Sequence, residues 1–240
     1  MSLSPPVPLS ELEGGAEQLQ RACYIAQLAT TIAQGRLNDA LDALGPPGEW
    51  HCDPHEGTLR LRGKTFAAEM LGSFDGENNF LWAWANPFLN LPEPRTTVSC
   101  GARDAARRLQ CAVLAQPFTA MPELDGVNEI IAVTVGNGFG AAAFVCDFPE
   151  SRIPYALLPG QIAPKWPKLY ELQRALTPMM FSRQHHGVAA LMRAAEYLEL
   201  PVERHADTLV IHDGEDELTA RILGENISDF SSNVRFDPEP

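Results

Sequence analysis

Phe80-Leu81-Trp82-Ala83-Trp84-Ala85-Asn86-Pro87 decides the reading of this chain. Read as a strand, it puts Phe80, Trp82 and Trp84 on one face and Leu81, Ala83 and Ala85 on the other. The small alanines let a helix pack closely on their side, and Asn86-Pro87 ends the run. Three aligned aromatics build a sheet face of a core, or floor a groove for a ligand or partner. The core is the expected use, with Trp82 and Trp84 buried together. Upstream, Thr58-Leu59-Arg60-Leu61-Arg62 alternates, Phe66–Phe74 is a second apolar run, and Asp75-Gly76 is a hairpin signal. The simplest arrangement is an antiparallel meander.

Helical patterns flank it. Leu19, Cys23, Ala26, Ala29 or Thr30, and Ala33 form a stripe over Ala16–Ala33 that Gly35 is expected to close, with a second short helix over Leu37–Leu44. Ala102–Leu114 carries good helix formers. Asp125–Val135 is read as a helix capped by Asp125, against the strand its β-branched residues would allow. In the last third, Thr177 as N-cap and Pro178 at the first helical position open a helix whose stripe runs Phe181, His185, Val188, Leu191 or Met192, Ala195 and Leu198. Pro201 stops it, and three strands follow near 203–211, 217–223 and 228–236.

The expected fold class is therefore α+β, antiparallel meanders packed by helices. Residues 1–12, rich in proline, are expected to be a disordered tail, and 13–237 a single domain. A helix followed by a meander occurs at both ends, over about 13–100 and 166–237. Together with the echo of Met70-Leu71-Gly72 in Ile222-Leu223-Gly224, this raises a duplicated unit as one possible origin.

Composition bounds the function. Of 240 residues, 18 are Lys or Arg and 31 are Asp or Glu, for a net charge of −13. That balance opposes a broad basic face for nucleic acid or an anionic membrane. No apolar run approaches a membrane span and the start has no secretory pattern, so a cytoplasmic location is expected. Five scattered cysteines without a C-x-x-C pair fit reduced thiols.

The chemical motifs are weak. His51-Cys52-Asp53-Pro54-His55 has ligand-type residues but reads as a polar turn, and His185-His186 as a helix pair, one inward and one outward. Gly136-Asn137-Gly138-Phe139-Gly140 lacks the lysine and hydroxyl of a phosphate loop and is expected to end a helix. No metal, cofactor or catalytic residue is assigned. Asp213-Gly214-Glu215-Asp216-Glu217 reads as a solvated hairpin tip.

Gly72-Ser73-Phe74 and Phe80–Pro87 together resemble a family of uncharacterised bacterial proteins, a domain of unknown function. Its members carry a G-S-x…W-A-W-A-N signature after an N-terminal helix, and Phe80 stands where a tryptophan is often found. The likeness runs more loosely over most of 13–236. It implies a bacterial cytosolic α+β protein and supplies no catalytic residues. The expected function is a non-enzymatic binding protein with an acidic surface for a basic protein partner. The candidate partner face is Phe80, Trp82 and Trp84, or Asp213, Glu215, Asp216 and Glu217. The alternative is a small-molecule hydrolase with a dispersed site, which a concave pocket holding a Cys or His beside an acid would favour.

Overall fold

Helix α1, Gly15–Asp42, is 28 residues of near-continuous spine, about 42 Å long at 1.5 Å per residue. It runs straight through Gly35, because an interior glycine costs only about 1 kcal/mol and apolar packing continues on either side of it. The side chains of α1 enter all three hydrophobic clusters found among the described residues. Leu19, Ala22 and Ala33 enter one, Leu28, Ala29 and Ile32 a second, and Leu37 and Leu41 a third. A helix buried on several sides has no single stripe, which is why the sequence divides it into two pieces.

This architecture comes from a computed structural model that describes residues 4–122, 124–180 and 186–234. Among them are five helices and thirteen strands in two sheets, an α+β fold with antiparallel strands throughout except at one pair. The strands of the large sheet are β1 (Val7–Pro8), β2 (Trp50–Asp53), β3 (Thr58–Leu61), β4 (Lys64–Met70), β5 (Gly72–Asp75), β6 (Asn79–Trp82), β7 (Phe118–Ala120), β8 (Ala142–Phe148) and β9 (Ser151–Leu157). They are ordered β1-β7-β6-β5-β9-β4-β3-β2, with β8 also on β9. The parallel pair is β1 with β7, and Leu9 behind it is buried. The proline-rich start is thus pinned from Val7 onward and is not a loose tail there.

Strands β4 and β5 run along β9 as one extended path with a bulge at its middle. Ala68–Met70 face Leu157–Tyr155 in one register and Phe74–Asp75 face Arg152–Ser151 in the next. The slip falls opposite Pro154, which has no N–H to give; its carbonyl accepts from the Leu71 amide at 2.9 Å. Gly72 is required at this bend, since a Cβ would sit 2.5 Å from the Phe80 ring. The free edge of β8 is covered in a similar economy of groups. Gln34 of α1 donates to the Ala143 carbonyl at 3.0 Å and accepts from its amide at 2.7 Å.

Helices α2 (Thr97–Ala105) and α3 (Gly126–Val135) pack on the first cluster. The helix expected over 125–135 is observed, with Asp125 at its N-cap position. At its end Gly136 lies so close to α1 that a Cβ would meet the Ala26 carbonyl at 2.5 Å. The glycine run of 136–140 is therefore a helix terminus, with Gly138 at φ +78°.

The C-terminal layer differs most from expectation. Helix α4 (Lys168–Met179) carries Thr177 and Pro178 in its last turn, and α5 (Gly187–Tyr197) is separate from it. Phe181 and His185 lie outside the described residues. The second sheet has four strands where three are expected: β10 (Val202–Arg204), β11 (Thr208–Asp213), β12 (Asp216–Leu223) and β13 (Asn226–Ser232). Leu209, Ile211, Leu218, Ala220 and Ile227 face the helices. The two echoing segments take different conformations, Gly72 inside a strand and Gly224 in a turn at φ +65°.

Glu69 of β4 is buried and accepts from the Val98 amide at 2.7 Å, at the start of α2. Burial nevertheless holds its carboxyl above the usual carboxylate range. A raised native value means that ionisation opposes folding as pH rises through it. Glu69→Gln keeps an acceptor for Val98 and removes the charge. Its melting temperature should exceed that of wild type at pH 7 and converge with it at pH 3.5.

Candidate functional site

The aromatic run divides at Trp82. Strand β6 ends there, and Ala83–Ala85 form a 3-10 turn, so Trp84 does not continue the row. Phe80 and Trp82 are fully buried. The Trp82 ring stands edge-on to Phe80 at 4.8 Å, and its Nε1 donates to the Val113 carbonyl at 3.2 Å. Trp84 is only partly buried, with the Arg103 guanidinium 5.3 Å above its ring. The expected common face of Trp82 and Trp84 is not formed, because the 3-10 turn rotates the second indole away. Phe80 and Trp82 are core. Asn86 turns its Oδ1 to the Phe88 amide at 3.0 Å, which fixes the bend into the next loop.

The histidine motifs are likewise local structure. Asp53 Oδ1 accepts from the His55 and Glu56 amides, each at 3.0 Å, making the turn that follows β2. His186 opens α5 at φ +56° with Nδ1 2.9 Å from Glu225. Among the described residues no group of three His, Cys, Asp or Glu is placed to hold a metal ion.

The acidic tip lies where it is expected, at the β11–β12 hairpin. Asp213 and Asp216 are directly paired across the strands, with Gly214 at φ +65° between them. Like charges opposite one another weaken a sheet. The acidity extends past the tip, a feature sequence spacing does not show. Glu217 on β12 and Glu203 on β10 approach the His212 ring from its two sides, at 3.9 and 3.7 Å, so both project from the outer face. Glu199, just before β10, is 87% exposed and reaches Lys168 at 3.7 Å.

Of the hollows along α1 among the described residues, two hold buried charge, and neither is legible in the sequence because their walls come from distant segments. The first, about 390 Å³, lies between α1 and α4. Its floor is the ion pair of Arg36 with Glu171, joined through Nη2 at 2.6 Å and Nε at 3.0 Å. Asp39 at its rim accepts from Trp166 Nε1 at 2.9 Å and from Arg174 at 3.3 Å. Each of these arginines is already matched to an acid.

The second hollow, about 320 Å³, lies between α1 and α3 and shares Thr30, Thr31 and Gln34 with the first. It places Cys23 beside Glu129, the pairing that would favour an enzyme. The thiol, however, donates to the Glu129 carbonyl at 3.6 Å. Burial, and then the Glu129 charge, push it far above the ordinary thiol range. A nucleophilic cysteine needs the opposite shift. Burial likewise raises Cys111 to about 11 and Cys146 beyond that.

A model for a family of unknown function, DUF6882, matches residues 19–159, more than half the chain. The chain belongs to that family. No curated protein and no solved structure matches it. The DUF6882 match runs from α1 to just past β9, so it covers the α1–α3 hollow and ends short of the C-terminal layer. The likeness expected to continue to 236 is thus carried by the family model only to 159.

Proposed function

We propose that the protein is a non-enzymatic cytoplasmic binding protein that receives a basic protein partner on the acidic end of its C-terminal sheet. The observation that carries this is the arrangement of carboxylates there. Asp213 faces Asp216 with Glu215 in the turn between them, and Glu217 and Glu203 flank His212 on the same sheet. Folding gains nothing from such like-charge pairing, so the cluster is better explained by what it attracts. The thiols support a non-enzymatic reading, since burial moves those in the core away from reactivity.

Replacing Asp213, Glu215, Asp216 and Glu217 with their amides tests the proposal. Glu215 is exposed and the other three are half-buried at the edge of the sheet, where solvated charges add little to folding. Removing the Asp213–Asp216 repulsion should leave the melting temperature unchanged or slightly raised. Association with an immobilised lysine-rich peptide should slow at least tenfold at 50 mM salt, where steering reaches beyond the Debye length of about 8 Å that holds at physiological salt. An unchanged on-rate in this variant would contradict the proposal.

A further inference from the structure

The hollow between α1 and α3 has a chemical bias that the acidic sheet end does not share. Glu129 Oε2 is buried there and has no hydrogen-bond partner. The two threonine hydroxyls that line the same hollow have already spent their hydrogens on the helix backbone. Thr30 Oγ1 donates to the Ala26 carbonyl at 2.9 Å and also faces that of Ala132 at 3.3 Å. Thr31 Oγ1 donates to the Gln27 carbonyl at 2.9 Å. What each threonine can still offer is an oxygen lone pair. None of the residues lining the hollow is basic, and Ile131, Ala132 and Tyr24 supply apolar wall. A buried acceptor left without a donor is costly, and a carboxylate more so than a neutral group.

We infer that this hollow is a binding site for an alkylammonium group, with the nitrogen on Glu129 Oε2 and the threonine oxygens and the carbon chain along Ile131 and Tyr24. An ammonium has three donors and no acceptor, the complement of the Glu129 carboxylate and the threonine oxygens. The Cys23, Gln34 and Asn128 donors of the lining are directed at the Glu129 carbonyl, the Ala143 carbonyl and Asp125 in turn. The volume, about 320 Å³, takes a chain of several carbons. The site is separate from the acidic sheet end, and either can fail without the other. The same headgroup occurs in a free aliphatic amine and in a lysine side chain, and the two differ in whether backbone accompanies it.

The pH dependence has a definite sign. Burial, then the nearby Asp125 charge, raise the Glu129 carboxyl above its ordinary range. The groups facing it are Asp125 at the start of its own helix and Cys23 on α1, and Asp125 is 3.8 Å from Arg152. Amine binding should therefore strengthen as pH rises and Glu129 gives up its proton.

The experiment is an NMR titration of the full chain with n-butylammonium and, separately, with an N-acetylated, C-amidated Gly-Lys-Gly peptide, at pH 4 and pH 7. The expected result is a saturable shift of the Ile131, Ala132 and Thr30 signals, tighter at pH 7. Glu129→Gln should weaken binding at least tenfold while its melting curve matches wild type. Should that variant not fold, Thr31→Val, on the exposed side of α1, should weaken binding several-fold. Binding of the amine alone assigns a free-amine ligand, and binding of the peptide as well assigns a lysine side chain. Equal binding by Glu129→Gln, shifts elsewhere in the molecule, or no saturable shift with either probe would overturn the inference.

Discussion

Trp82→Ala should lower the stability of the fold by about 3–5 kcal/mol, a loss seen as a fall of roughly 10 °C in melting temperature. The indole is fully buried at the junction of β5, β6 and the segment before β7. Removing it leaves a cavity against Phe80 and deprives the Val113 carbonyl of its 3.2 Å donor. Trp84→Ala provides the contrast. Its ring is partly exposed and outside the strand, so the same substitution two residues on should cost clearly less. Equal losses at the two positions, measured by urea unfolding, would mean that the 3-10 turn does not separate them.

Arg36→Met should cost a comparable amount, about 3–5 kcal/mol, through a different cause. Glu171 is 5% exposed, and three contacts from the Arg36 guanidinium at 2.6–3.2 Å are what its carboxylate has in exchange for water. Deleting one member of a buried pair strands the other charge. Replacing both, as in Arg36→Met with Glu171→Leu, should recover most of the loss, since two apolar side chains fit a site that two charges no longer need. The pair joins α1 to α4, and the Tyr197 ring of α5 lies 5.7 Å from the guanidinium. Arg36→Met should therefore loosen the C-terminal layer first. Hydrogen exchange in α4 and β10–β13 should quicken while β3–β6 stay protected. Uniform quickening across both sheets would contradict this role.

Local grammar made much of the fold legible. Alternation at Thr58–Leu61, the turn signals Asp75-Gly76 and Asp213-Gly214, and the length and Asp125 start of α3 all correspond to observed elements. Failures follow a physical pattern. The sequence of α1 reads as two pieces because its burial rotates among three clusters, which no single periodicity describes. Helix α4 is hidden in the sequence although Leu169, Leu172, Leu176 and Met179 recur at helical spacing, because Thr177-Pro178 reads more readily as a start than as a last turn.

The sites divide along the same line. The acidic tip is contiguous in sequence and was visible, whereas its extension to Glu203 depends on strand pairing. The α1–α3 hollow was not legible. Glu129 reads as one more surface acid of a helix, and only the packing of α1 on α3, with Cys23 on the Glu129 carbonyl and Thr30 near that of Ala132, sets it in the wall of a hollow with Oε2 unpartnered.

The central claim is that a basic partner is received at the acidic end of the C-terminal sheet. Amide hydrogen exchange of the full chain with and without a lysine-rich peptide, at 50 mM and 500 mM salt, tests it most directly. The expected result is added protection over residues 199–217, strong at 50 mM and largely lost at 500 mM salt. Protection that falls instead on the exposed loop around Phe88, or that is indifferent to salt, would contradict it.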